Sequence, residues 1–409
     1  MNRWIFWWRQ FTRELWVRAL AYAAFGVAAA LAAVFARPFV PQGLADRFGG
    51  ESVEQILTIL ASSLLAVATF SLGAMVTAYT AVSSAATPRV ARLVTGDQST
   101  QTSLATFVGA FLYAIVGLIA VNAHYYGTEG RAVIFLTSLI VVGLVAWRLL
   151  SWISRLSSLA RLGHMIDLVE DRTRDAMKAA RADPHMGGRP GRVTGGVEVT
   201  ARRAGSVLNV DRDHLQAVAG RLDAEIEIVA RPGKLVGRGQ PLARVSVAVG
   251  PEDRDRIGDA FAIGRGRSFD QDPRFGLVVL GEIAARALSP GVNDPGTAVE
   301  VMGAGLRLME GWAQSGEAAA ADAEPPCPRL RVAPLSPADL LEDVFGPSMR
   351  YGAGDLIVAV RLQKVLGLLA LGGGPVGVAA AAMARTARAR SLKAMPDAAD
   401  RARMKAAGA

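Results

Sequence analysis

Nucleophiles, bases and metal ligands are sparse and scattered in this sequence of 409 residues. Its single cysteine, Cys327, stands in a Pro-rich stretch, so no internal disulfide and no cysteine-based metal site can form. The four histidines, His124, His164, His185 and His214, show no ligand spacing. Glu282 and Asp270 are isolated acids at helix or cap positions, and no Ser/His/Asp or paired-carboxylate set stands out. The chain is expected not to be an enzyme and to hold no cofactor and no metal.

Two polar groupings do have a pattern. Ser62, Thr69, Gly73, Thr77, Thr80 and Ser84, with Ala66, recur at helical spacing and form one stripe. Such a stripe either lets helices pack closely or lines a water-filled pore in an oligomer. The second grouping is the turn Ser289, Pro290, Gly291, Val292, Asn293, Asp294, Pro295, with Thr297 just beyond it. It is either a rigid corner that satisfies helix-end backbone groups, or an anion or ligand contact at the following helix. In the second case Asn293 and Thr297 would donate with Arg286 nearby, although Asp294 opposes an anion there.

The elements that carry these groups divide the chain near residue 157. Before it lie four apolar segments, at about 15–36, 55–82, 104–122 and 132–153, each long enough for a bilayer core of about 30 Å. The uncharged run Gln55–Pro88 exceeds one crossing, so its helix extends beyond the membrane. No charged residue lies mid-membrane in the first three segments, which argues against an ion-coupled pump but not against a passive channel.

Arg3, Arg9, Arg13 and Arg18 stand in the N-terminal arm up to the start of the first span, Arg89 and Arg92 lie between the second and third, and Arg155 and Arg161 follow the fourth. On the other side Arg37, Arg47 and Arg131 are offset by Asp46, Glu51, Glu54 and Glu129. This bias predicts a multi-pass protein of the bacterial cytoplasmic (inner) membrane with both termini cytoplasmic. Trp4, Trp7, Trp8, Trp16, Trp147 and Trp152 mark one interface, and His124, Tyr125 and Tyr126 the other.

The remainder reads as an α+β cytoplasmic region. Residues 157–192 form a helical connector and linker, and 193–250 a small β-rich module. Residues 251–312 form a helical hairpin around the turn described above, 313–335 a linker, and 336–409 C-terminal helices with a basic tail. Within the β module, Arg231-Pro-Gly-Lys-Leu-Val-Gly-Arg-Gly-Gln-Pro-Leu242 resembles the turns of biotinyl/lipoyl-like modules. Lys234 lacks the flanking methionines or acids of those carriers, so the segment reads as a structural barrel. The fold class is thus a four-span α-helical integral membrane protein with an α+β cytoplasmic region.

The formal net charge is +9, yet only five of the basic residues are lysine. Arginine, alanine and glycine enrichment follows from a GC-rich genome, so the charge does not signal nucleic acid. The tail, with Arg385, Arg388, Arg390, Lys393, Arg401, Arg403 and Lys405, is either a solvated face or a contact with anionic lipid.

Four segments together resemble a bacterial family of predicted membrane proteins, domain of unknown function 2254. They are Ser83-Ser-Ala-Ala-Thr-Pro-Arg89, the Arg231-Pro-Gly233 turn, Phe269-Asp-Gln-Asp-Pro-Arg-Phe-Gly276 and Ala287-Leu-Ser-Pro-Gly-Val-Asn-Asp-Pro-Gly-Thr-Ala298. The resemblance implies architecture and no particular activity. Two readings of function stay open. One is an oligomeric passive channel, lined by the second span and regulated by the cytoplasmic region. The other is a membrane-anchored scaffold or ligand sensor. The expected partners are the lipid bilayer and further copies of the chain.

Overall fold

The computed structural model describes residues 15–35, 52–90, 98–125, 127–159, 161–314 and 324–407. The N-terminal arm with Trp4, Trp7 and Trp8, the residues Arg37, Asp46, Arg47, Glu51 and Arg92, and Tyr126 lie outside the described residues. The chain forms two compact units that meet in sequence at Leu162–Gly163.

The first unit is a bundle of α1 (Leu15–Phe35), α2 (Ser52–Ala85), α3 (Gln98–Asn122) and α4 (Thr128–Leu159). Three of these are long and apolar enough to cross a membrane, over Ser52–Ser84, Gln101–Asn122 and Thr128–Ser154. Among the described residues the apolar part of α1 covers Ala19–Ala32, after Arg18 in the first turn. At 1.5 Å per residue the 34 residues of α2 reach about 51 Å, well over a bilayer core.

The third helix is the hub. Of its apolar window 61% is buried, against 22% for α2 and 17% for α4. It packs against α1 through glycine: a Cβ on Gly26 would lie 2.3 Å from the Gly109 carbonyl oxygen, and one on Gly109 would lie 2.7 Å from that of Tyr22. Small residues let the two backbones touch, as membrane helices do when no hydrophobic drive joins them. On the other side, Leu57, Leu60 and Leu64 of α2 join Tyr113 and Ala114 of α3 and Ile134 of α4 in one core. The Tyr113 hydroxyl lies 2.5 Å from Thr137 Oγ1 and 3.2 Å from the Ile134 carbonyl, so a buried polar group is satisfied across the α3–α4 contact.

The expected helical connector from residue 157 is not one helix with the fourth span: α4 ends at Leu159 and α5 runs from Leu162 to Ala182. Ser157, Ser158 and Gly163 are weak helix formers that allow the break.

The second unit opens with α5 and continues into two small sheets. The strands are β1 (Val197–Thr200), β2 (Gly205–Val210), β3 (Ile226–Ile228), β4 (Leu235–Val236), β5 (Pro241–Val245), β6 (Phe261–Gly264) and β7 (Leu330–Arg331). One sheet has the order β1-β5-β3-β7, the other β4-β2-β6. Two short helices, α6 (Arg212–Arg221) and α7 (Pro251–Asp259), flank them. Asp211 accepts from the His214 amide and caps α6. Val207, Val210, Leu215, Ile226, Ile257 and Leu330 share the core.

This module corrects the expected boundaries. It does not end at Gly250, because β6 pairs with β2 along Val207↔Ile263 and Val210↔Phe261. Nor is 313–335 all linker, because β7 pairs in parallel with β3, Ile226 opposite Leu330. Strands of four and two residues carry too little alternation to be read as strands from sequence.

The rest is helical: α8 (Pro273–Ala287), α9 (Pro295–Gln314), α10 (Pro337–Tyr351), α11 (Leu356–Leu371), α12 (Gly374–Ala394) and α13 (Ala398–Ala406). The helix α10 passes Pro347 and is capped at Gly352. Glu170 of α5 is buried and takes a two-pronged pair from Arg307 of α9 at 2.9 and 2.5 Å, which fixes these two helices together.

Candidate functional site

The two candidate groupings fall in different units. On α2 all six stripe residues, Ser62, Thr69, Gly73, Thr77, Thr80 and Ser84, are exposed in the single chain. At 100° per residue they lie on the side of the helix opposite Leu57, Leu60 and Leu64, the side that packs on the bundle. A Cβ on Gly73 would meet nothing within 4 Å. Between Leu65 and Ala81 only Ser71 is buried, so this part of α2 stands largely clear of its neighbours.

The stripe therefore does not serve packing within the chain among the described residues, and packing against another copy and pore lining both stay open. Close packing of small residues is instead done by Gly26 and Gly109, which sequence reasoning passed over. Ala19, Ala23, Gly26 and Ala30 of α1, and Ala105 and Gly109 of α3, do show the small-residue spacing that would have found it.

The stripe hydroxyls are satisfied by their own helix. Thr69 donates to the Leu65 carbonyl at 2.9 Å, Thr77 to Gly73 at 3.1 Å, Thr80 to Val76 at 2.9 Å, and Ser62 to Thr58 at 3.0 Å. Each hydroxyl oxygen keeps acceptor capacity. Such a surface is weakly polar: lipid tolerates it, and water or a second helix can use it. Large apolar residues beside it, Ile59, Phe70 and Val76, are also exposed.

In the second unit the turn between α8 and α9 is a corner that satisfies itself. The Asp294 amide donates to the Ala287 carbonyl at 2.8 Å, the Asn293 amide to Ser289 at 2.9 Å, and the Ser289 hydroxyl to Arg286 at 2.7 Å. Asn293 holds φ +50°, a conformation asparagine tolerates. Asp294 accepts from the Thr297 amide at 3.1 Å and from the Thr297 hydroxyl at 2.6 Å. The expected donor Thr297 is thus bonded to Asp294, whose carboxylate lies at the start of α9. These bonds hold the Asp294 carboxyl below the ordinary aspartate value of 3.8. Pro290, Gly291, Val292 and Asn293 project outward.

A lowered aspartate pKa stabilises the fold above the ordinary value, and that stabilisation is lost as pH falls through the lower folded value. The protection of the first-turn amides of α9, taken relative to intrinsic exchange at each pH, is expected to fall on acidification through that window. Asp294→Ala should show that low protection already at neutral pH, with a loss of about 1 kcal/mol.

Two motifs that are distant in sequence meet at the base of the hairpin. Gly233 of the Arg231-Pro-Gly turn takes φ +91° and lies directly against Asp272, whose carboxyl oxygens would be 2.3 and 2.6 Å from an added Cβ. Asp272 is only 2% exposed. It accepts from Arg267 Nε at 2.7 Å and Nη2 at 3.0 Å, and caps α8 by accepting from the Arg274 amide at 3.2 Å. Burial pushes its carboxyl upward, and the Arg267 pair pulls against that.

Neighbouring groups extend the latch. Gln271 accepts from the Val210 amide at 3.0 Å, and Arg274 pairs with Asp343 of α10 at 2.6 and 3.0 Å. Every polar group of this motif that the contacts involve is spent on joining strands, hairpin and α10. Lys234 donates to the Val229 carbonyl at 3.2 Å, a structural contact within its own turn. Among the described residues no three of His, Cys, Asp and Glu come together as metal ligands.

The sequence profile of a family described as predicted membrane protein (DUF2254) matches residues 12–367. The chain belongs to the DUF2254 family. Uncharacterized proteins of Mycobacterium bovis and Mycobacterium tuberculosis are similar to this DUF2254 chain, at 30% identity over 231 residues. The match covers 52% of the chain and 43% of the relatives' length, so the DUF2254 chain matches less than half of each of these proteins. No solved structure matches.

Proposed function

We propose that this DUF2254 chain is one subunit of an oligomeric passive channel or permeation pathway in a bacterial inner membrane. The stripe on α2 faces the shared axis, and the α+β unit acts as a cytoplasmic regulatory domain. One observation carries the reading: the stripe lies opposite the packed side of an over-long helix, where the described residues of the chain leave it exposed. In an oligomer that position exposes small side chains and hydroxyl oxygens to a common lumen.

The 21 residues of α1 rise about 32 Å, enough for a fourth crossing. Four crossings return the chain to the side where it began, and the arginine bias places that side in the cytoplasm. Chemistry is not part of this proposal, since the charged groups that the contacts involve are paired or serve as caps.

The test is reconstitution of the purified chain. Thr69→Leu, Gly73→Leu and Thr77→Leu are expected to change ion or solute flux through liposomes severalfold while the melting temperature stays put. A particle that is monomeric in mild detergent, with flux-free liposomes, sinks the reading. The outward-facing corner favours a second reading, a membrane-anchored scaffold, because Val292 is half exposed at its tip. In that case Val292→Asp removes a bound partner and leaves flux untouched.

A further inference from the structure

Within the second unit the positive charge is concentrated in one stretch. From Leu356 to Pro396, across all of α11 and α12, there is no Asp or Glu, while six residues are Arg or Lys. Asp355 and Asp397 bracket this stretch, and both are used as caps: Asp355 accepts from the Val358 amide, and Asp397 from the Ala399 and Asp400 amides.

The basic groups sit on outward faces. Arg361, Lys364, Arg385, Arg390 and Lys393 are exposed, and none makes an ion pair among the described residues. A solvated helix face normally interleaves both signs. This one does not.

The same faces also expose large apolar side chains. Ile357, Leu368, Leu371 and Val378 are 65%, 43%, 85% and 73% exposed. On α11 the exposed apolar and basic residues share one side, opposite the buried Val358, Leu362, Val365 and Leu369. On α12 Val378, Arg385 and Lys393 share the side opposite the buried Ala380, Met383 and Ala387. Leu371 and Val378 flank the Gly372–Pro375 turn.

The platform is held together. Met395 and Met404 bury against Ala359, so α13 closes onto α11. Arg388 donates to the Lys405 carbonyl at 2.7 Å, and Arg401 donates to the Met395 and Pro396 carbonyls, each at 2.7 Å.

We infer that the outward faces of α11 and α12 form a docking surface for the headgroup layer of an anionic phospholipid bilayer. Apolar side chains enter the interface while Arg and Lys meet lipid phosphates. Apolar anchors combined with unopposed basic charge are what interfacial binding requires. Charge complementarity selects lipid, the one polyanionic surface that a membrane protein always has at hand. The inference stands whether or not α2 lines a pore.

The test uses the full chain in nanodiscs, where both leaflets are accessible. Ala389→Cys places a label on the outward face of α12; Cys327 is buried, and the unsubstituted chain serves as the labelling control. The discs are either phosphatidylcholine alone or about one-third phosphatidylglycerol, each doped with a headgroup-quencher lipid. Quenching is expected in the anionic discs and should reverse at roughly 0.5 M salt, where screening is nearly complete. Arg385→Gln with Lys393→Gln should weaken docking on the order of fivefold per residue, and Leu371→Ser should weaken it in a salt-independent way.

Equal quenching in both discs, no quenching in either, or quenching indifferent to salt overturns the inference. So does protection of the label by added RNA or an acidic peptide without any quenching by anionic lipid. Where a charge or leucine variant fails to fold, the labelled Ala389→Cys chain compared across lipid and salt still decides.

Discussion

Gly233→Ala should cost the second unit about 3–5 kcal/mol, the loss seen when a buried ion pair is broken by disturbing one partner. The added methyl would fall 2.3 Å from a carboxyl oxygen of Asp272, and φ +91° is a conformation alanine resists. Asp272 cannot step aside without leaving Arg267 and uncapping α8, because it serves both. Chemical denaturation of the chain in detergent, followed by near-ultraviolet circular dichroism, measures the loss. Asp272→Asn keeps an oxygen for the cap and removes the charge, so it should fall between wild type and Asp272→Ala. A melt indifferent to Gly233→Ala would mean that the carboxylate is free to shift, and that the latch is weaker than its geometry.

The second large effect lies in the helix bundle. Gly109→Leu, or Gly26→Leu, drives a branched side chain into a carbonyl that is rigidly part of the facing helix. Overpacking typically costs about 1–3 kcal/mol, and backbone gives way less readily than a flexible side chain does. The helix α1 is expected to separate from α3, seen as loss of a cross-link engineered between them and as a lower melting temperature in detergent. Gly73→Leu is the matched control, since open space surrounds Gly73. The same substitution in the same kind of helix should then unsettle the bundle at one glycine and leave it intact at the other.

The legible part of this protein was whatever declares itself within about twenty residues. Long apolar runs gave the helices of the first unit, and the helical hairpin of α8 and α9 stands around the turn that the sequence marks. The partners of those elements were not legible. The stripe was visible on α2, but which side faces the bundle depends on Leu57 and Leu64 meeting Tyr113, a contact that no periodicity reports. The Arg-Pro-Gly turn and the Asp272 motif were each noticed, but not that one closes on the other some forty residues away. The strand β7, two residues long, has no sequence signal apart from its partner.

That last strand sets an order of events. The edge of β3 is completed by residues synthesised about a hundred positions later. At roughly 5–20 residues per second, the ribosome leaves Ile226–Ile228 unpaired on one side for about 5–20 s. All of α8 and α9 emerges in that interval, so the hairpin is in place before the sheet beside it can close. An open strand edge is an invitation to pair with another chain. For this protein the hazard has a definite start and end during its own synthesis, and it passes when Leu330 arrives.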